Sequence, residues 1–269
     1  MTFLTIIAVG LIIFVMCKAA LSTFYKNTDA IPVLMYHHFD EKEFNSITVP
    51  KKVFLEQMES LKKAGYTPIT QEQMISFYYE NGKLPKKPIL ITIDDGYRSN
   101  YEIAYPILKQ TRMKATIFTV TSQAGQTPNR LPHFSWKEAK QMSKDGTIEI
   151  QSHTNNLHHK EEGFIHKVPA LLYSFKGETR EHYLERIYTD LYSSRELVKE
   201  KVGNQVLAIS YPFGESDRNV IKMAKKAGFK LGYSISGGLN TKYTDPYKLK
   251  RINVPGDWSG EELLDAITP

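Results

Sequence analysis

The sequence predicts an α/β fold: a distorted or incomplete, TIM-like (β/α) barrel of parallel strands, preceded by an N-terminal membrane segment. Three observations carry this. Short apolar runs rich in β-branched residues alternate with amphipathic stretches along the chain, with no repeat of fixed period. Polar residues gather where several of those runs end, at His37, Asp94, Asp95, His153 and Tyr211, and barrels of this kind place their sites at the C-terminal ends of strands. The chain also opens on a run, Phe3 to Cys17, that is apolar on every side.

That opening run continues in weaker form to about Tyr25, a length between a signal-peptide core and a full span of roughly 20 residues. It reads as an uncleaved signal anchor over residues 1–25, with Lys18 at an interface. A lipoprotein site at Cys17 fits poorly, because Phe14-Val15-Met16 lacks small residues. Residues 26–30 form a polar linker, and 31–269 form one folded domain.

Ile31 to Tyr36 is the first buried strand and ends at His37-His38. Lys51 to Lys63 is a helix with Phe54, Leu55, Met58 and Leu61 on one face, closed by Gly65. Thr70 and Gln73 make a capping box for a second helix, terminated near Asn81-Gly82. Pro88 to Ile93 is a strand buried on both faces that leaves through Asp94, Asp95 and Gly96. A helix follows over Ser99 to Gln110, bent by Pro106. Ala115–Val120 and Thr147–Ser152 are strands, with a helix over Trp136–Ser143 between them, and the second strand ends at His153.

Residues 155–180 show no clean period and read as an ordered loop over the active end. Leu184, Ile187, Leu191, Ser194 and Val198 step by threes and fours, giving a long helix to Gly203. The strand Val206–Ser210 ends at Tyr211-Pro212-Phe213-Gly214. A helix over Arg218–Ala227, stopped by Gly228, and strands over Leu231–Ile235 and Arg251–Val254 complete the pattern.

Composition narrows the chemistry. A chain of 269 residues with 41% hydrophobic and 24% charged residues suits one large core and excludes disorder over most of its length. The net charge of +6 comes from scattered lysines with no nucleic-acid motif, so it supports at most a weak preference for anionic envelope surfaces. No protein partner is indicated. Cys17 is the single cysteine, so neither an intrachain disulfide nor a cysteine zinc site can form, and any metal must be held by histidine and carboxylate.

Two adjacent carboxylates at the end of a buried strand cost several kcal/mol unless a cation or proton relieves them. His153 and His158, five apart beyond another strand, can converge in a turn. With Asp95 they make a His, His, carboxylate set suited to a divalent transition metal with open positions for water and substrate. His38, His133, His159, His166 and His182 carry no motif and read as surface or loop histidines. Trp136 and Trp258 read as core packing.

Leu34-Met35-Tyr36-His37, Thr92-Ile93-Asp94-Asp95-Gly96, His153 to His158 and Tyr211-Pro212-Phe213-Gly214 together resemble the polysaccharide deacetylases of carbohydrate esterase family 4. The likeness, spanning about Ile31 to Val254, is greatest to the branch of biofilm poly-β-1,6-N-acetylglucosamine deacetylases. It implies a metal-dependent hydrolase that removes N-acetyl groups from an extracytoplasmic polysaccharide, with Asp95, His153 and His158 as ligands, usually of zinc. It further implies Asp94 as general base, His37 as general acid and the Tyr211 backbone N–H as oxyanion donor. Pro212, Phe213 and Arg251 are candidate substrate-binding residues.

Ser210 stands where much of the family has an arginine that tethers the base, and Arg251 is the candidate replacement. Asp257-Trp258 matches the usual Asp-Trp motif only in part. The polymer stays open between poly-N-acetylglucosamine or another chitin-like glycan and peptidoglycan. An O-acetyl esterase, or a catalytically silent glycan-binding protein on the same fold, are the alternatives.

Overall fold

The computed structural model describes residues 30–163 and 166–268. The membrane segment expected over 1–25 lies outside the described residues, and among those described no helix is long and apolar enough to cross a membrane.

β1 (Val33–Tyr36) is buried throughout and is followed by β2 (His38–Asp40), which pairs in parallel with β3 (Thr48–Pro50). α1 (Lys51–Lys63) buries Phe54, Met58 and Leu61 of the expected face and leaves Leu55 half-buried at its edge. β4 (Thr67–Pro68) leads to α2 (Gln71–Tyr79), which carries the Thr70/Gln73 capping box and stops short of Asn81-Gly82. β5 (Pro88–Ile93) follows, buried from Ile89 onward. The helix expected next is present as a π segment over Asn100–Ala104 running without a break into α3 (Tyr105–Thr111), with Ser99, Ala104 and Tyr105 all in right-handed helical backbone. The Tyr105 N–H reaches back five residues to the Asn100 carbonyl, so a widened turn precedes Pro106, which has no N–H to give to that turn.

β6 (Ala115–Thr119), α4 (Trp136–Lys144) and β7 (Ile148–Ser152) come within a residue of expectation. The stretch read as a loop contains an antiparallel pair, β8 (Lys160–Glu162) and β9 (Lys167–Pro169), too short and polar for alternation to register. The long helix α5 (Arg180–Val202) ends at Gly203, whose φ of 94° closes it. After β10 (Ala208–Ser210), α6 (Arg218–Lys226), β11 (Leu231–Tyr233) and β12 (Ile252–Asn253), the chain adds a helix the periodicity did not reveal, α7 (Gly260–Ile267). Its Ser259/Glu262 capping box was there to read.

The main sheet runs β11-β10-β7-β6-β5-β1-β12, all neighbours parallel, with β4 added beside β5. It curls into a half-barrel. Leu249 pairs with Tyr233 of β11, and a few residues on Ile252 pairs with Leu34 of β1. One segment, residues 249–253, therefore bridges the two open edges of the curled sheet.

Alternation along the strands sorts their side chains. Leu34, Ile89, Ile91, Ile93, Ile117, Ile150 and Ile209 join the large cluster with the helices. Val33, Leu90, Phe118, Ala208, Leu231 and Leu249 fill a second cluster, which also takes Met74 and Phe77 of α2. Each such valine, leucine, isoleucine, phenylalanine or methionine side chain, fully buried, contributes about 1.5–3 kcal/mol. By the same period of two, Thr92 and Asp94 follow Leu90, Ser210 follows Ala208, and Arg251 follows Leu249 onto the face of the second cluster. This layer of polar residues is the floor of the site.

Candidate active site

The register sets neighbouring strand ends side by side: Tyr36 pairs with Ile93, Ile93 with Ile117, Thr119 with Ser152, and Ile209 with Ser152. His37, Asp94, His153 and Tyr211 thus leave the sheet along one rim. Left-handed backbone follows closely on three of these strands, at Asp95 (φ 72°), Thr154 (φ 74°) and Phe213 (φ 57°). A β-branched residue in that region is a genuine outlier, and such outliers gather at functional sites. Gly96 is required as glycine: its φ is 85°, and a Cβ there would lie 2.5 Å from Thr119 Oγ1 and 3.2 Å from Phe134 Cζ.

Asp94 is held from below. Arg251 donates from Nη1 to Oδ1 at 2.7 Å and from Nη2 to Oδ2 at 2.8 Å, while the Ser210 hydroxyl donates to Oδ2 at 3.0 Å. Arg251 itself is 1% exposed, and its Nε donates to the Ser234 carbonyl at 2.8 Å. Burial would raise the Asp94 pKa. Arg251, with His153 and His37, overrides that and holds the carboxyl well below the usual range. The guanidinium is committed to Asp94, Ser210, Thr92 and Ser234. Arg251 therefore lies behind the base as its tether, with no donor left for a sugar.

Asp95, His153 and His158 converge. One ligating atom from each lies within 4.8 Å of the others, and Asp95 Oδ1 is 3.5 Å from His153 Nε2 and 3.4 Å from His158 Nε2. Asp95 Oδ1 is buried with no hydrogen-bond partner, a state that costs free energy unless a cation meets it. His153 Nδ1 lies 2.7 Å from the Ser210 carbonyl. Only a protonated Nδ1 can make that bond, so Nε2 presents a lone pair. Burial, reinforced by His158, pushes the His153 pKa down to about 4 against the pull of Asp94 and Asp95, and a neutral imidazole is what a metal needs. The donor set fits a divalent ion.

The remaining expected residues are distributed as follows. His37 is half-buried beside Asp94 on the neighbouring strand; its carbonyl accepts from Asn100 Nδ2 at 2.8 Å, and its Nδ1 is buried without a partner. The Tyr211 backbone N–H donates to the Tyr233 carbonyl at 3.1 Å, inside the β10–β11 ladder. That donor is already in use, which corrects its expected role at an oxyanion. Pro212 begins the following turn, and Phe213 has its ring 5.0 Å from that of His158 and 4.6 Å from Lys160 Nζ. Among the described residues no acceptor takes the Phe213 N–H.

Two features escaped sequence reasoning. His133, read as a surface or loop residue, is only 5% exposed. Residues 132–134 bond to 96–98, so its ring lies 4.9 Å from that of Tyr97, tilted by 45°. Asp190 of α5 reaches the turn between the two histidines, and Ser194 reaches Ser152 at the strand end before it; their signal was two polar residues on a buried helix face. His159 is exposed and pairs with Glu161 at 3.0 Å, while His166 and His182 are exposed. Trp136 and Trp258 pack against the core, as expected.

Residues 81–232 match the family model described as polysaccharide deacetylase. YxkH of Bacillus subtilis (strain 168), a candidate polysaccharide deacetylase, is 32% identical over 230 residues, covering 86% of this chain and 73% of that one. The chain belongs to the polysaccharide deacetylase family. Like other members it is an enzyme, and its Asp95, His153 and His158 form a candidate metal site. This deacetylase is also 29% identical over 224 residues to a poly-β-1,6-N-acetyl-D-glucosamine N-deacetylase of Staphylococcus aureus (strain MSSA476), covering 83% of this chain and 73% of the relative. Its fold is shared with Streptococcus pyogenes deacetylase PplD, solved in complex with acetate: TM-score 0.75, 24% identity, and coverage of 90% of this chain and all of the other.

Proposed function

We propose that the protein is a zinc-dependent N-deacetylase that removes acetyl groups from N-acetylglucosamine residues of an extracytoplasmic polysaccharide, poly-N-acetylglucosamine or peptidoglycan, releasing acetate. The observation that carries this is the Asp95, His153 and His158 cluster lying beside a carboxylate, Asp94, fixed by Arg251. The relative named for poly-β-1,6-N-acetyl-D-glucosamine supports that choice of polymer. Residues 1–25 anchor the catalytic domain, 31–269, at the outer face of the cell membrane; the apolar run Phe3 to Cys17 supports this.

Asp95, His153 and His158 would hold the ion. The chemistry it supplies when bound is polarisation of the acetamide carbonyl and a lowered pKa for water. Arg251, with His153 and His37, holds the Asp94 carboxyl below the usual carboxylate range despite its burial, so it faces the site as a carboxylate able to accept a proton. Its weak basicity demands an acidified donor, which accounts for a base and a cation site on adjacent residues. The Phe213 N–H takes the oxyanion role, since the Tyr211 N–H is spent in the ladder. His37, on the strand beside Asp94, protonates the departing amine.

Acetate release from poly-N-acetylglucosamine, chitooligosaccharide, peptidoglycan and an O-acetylated glycan, with and without chelator, tests the reading. Chelator-sensitive release from an N-acetylated glycan is expected. Chelator-insensitive release, or full activity in His153→Ala, would overturn it.

A further inference from the structure

The two histidines of the cluster sit at either end of the turn 153–158, and α5 grips that turn at its centre. Asp190, 9% exposed, accepts from the Asn155 N–H at 2.9 Å through Oδ1 and from the Asn156 N–H at 2.7 Å through Oδ2. One helical turn on, the buried Ser194 hydroxyl donates to the Leu191 carbonyl at 2.8 Å. The Ser152 hydroxyl, 2.6 Å away, must then donate to Ser194 Oγ, and Ser152 Oγ accepts the Thr154 N–H at 3.2 Å. Both anchors flank the strained residue: Thr154 has φ 74°, and its own Oγ1 is buried with no partner. A β-branched residue adopts that conformation only when its surroundings over-determine it.

We propose that Asp190 and Ser194 are positioning residues that hold His153 and His158 as a ready-made ligand pair before any ion arrives. Neither touches substrate. Asp190 supplies a two-toothed anchor for the backbone on one side of Thr154, and Ser194 an indirect anchor on the other. Without them the turn relaxes out of its left-handed kink and swings one imidazole away from Asp95. The inference rests on the metal-site reading above.

The test measures zinc affinity of the 269-residue chain by competition with a chromogenic chelator, together with melting of the metal-free protein. Asp190→Asn keeps the shape but replaces one acceptor with a donor facing an N–H. It is expected to lose about tenfold or more in zinc affinity, while the metal-free melting temperature moves by less than about 5 °C. Thr154→Gly, placed in the Asp190→Asn background, removes the strain and is expected to recover part of the loss, a rescue that a purely structural role would not give. If Asp190→Asn fails to fold, Ser194→Ala decides: weakened zinc binding supports the proposal and wild-type affinity overturns it. Wild-type affinity in a folded Asp190→Asn likewise overturns it. A wild-type chain that takes up no zinc sinks the metal reading instead.

Discussion

Arg251 holds both carboxylate oxygens of Asp94, at 2.7 and 2.8 Å, from 157 positions further along the chain. The two side chains are 0% and 3% exposed, and removing one partner of so enclosed a pair leaves a bare charge, at a cost of about 3–5 kcal/mol. Arg251→Met is therefore expected to lower the unfolding free energy by about 3 kcal/mol or more. Arg251→Lys, a point charge in place of a planar fork, is expected to keep more stability yet lose activity because Asp94 is no longer fixed. Urea melts and acetate release on both variants check this; an Arg251→Met protein with full activity would dissociate the tether from the reaction.

Asp94 and Asp95 are adjacent in sequence but serve different partners, so they should fail differently. Asp95→Asn is expected to lose bound metal, measured as metal content after desalting. Asp94→Asn is expected to keep metal and lose about 100-fold or more in acetate release, the scale of a missing general base. Equal metal loss in both variants would show that the two carboxylates act as one ligand unit.

Gly96→Ala forces a Cβ against Thr119 and Phe134 in a backbone conformation that alanine disfavours. The combined cost is expected at about 2–4 kcal/mol, with loss of metal because Asp95 is displaced alongside it. Thermal melts and metal content read the two effects separately.

Glu178 and Arg186 clamp the residues before α5. Arg186 donates to Glu178 through Nε at 2.8 Å and Nη2 at 2.9 Å. That pairing, against some desolvation and aided by the Phe175 N–H, brings the Glu178 pKa down to about 2 from 4.5. A carboxylate whose folded pKa is depressed stabilises fully above its unfolded pKa and loses that contribution as pH falls through the folded value. The stability gap between wild type and Glu178→Gln is thus expected to be widest near neutrality and to shrink below about 4.5. Urea melts across that range measure it; a gap that grew on acidification would contradict the pairing.

The rim of the site was legible because its strands are buried on both faces. A run such as Ile89–Ile93 has no charged position until it leaves the core, so the first charged residues, Asp94 and Asp95, mark its end. Arg251 was harder to place: its partner is fixed by where residues 249–253 cross from β11 to β1, and that seam leaves no periodic trace. Likeness to a family pointed to Tyr211 as a donor, yet only the ladder reveals that its N–H is spent on Tyr233. Asp190 and Ser194 could have been suspected as polar interruptions of the buried stripe of α5. His133 reaches Tyr97 through an irregular pairing of two loops, which no spacing rule anticipates.

The seam also orders the life of the chain during synthesis. Asp94 emerges long before Arg251, and a nascent chain lacking residues 249–253 has neither the bridge between its sheet edges nor a counter-charge for that carboxylate. Burying β5 fully before then would strand an anion in the interior, so the early strands must stay loosely assembled until the last one docks. Chains released short of Arg251 should accordingly persist as expanded, protease-sensitive species with exposed strand edges, and maturation of the whole domain waits on residues 249–253.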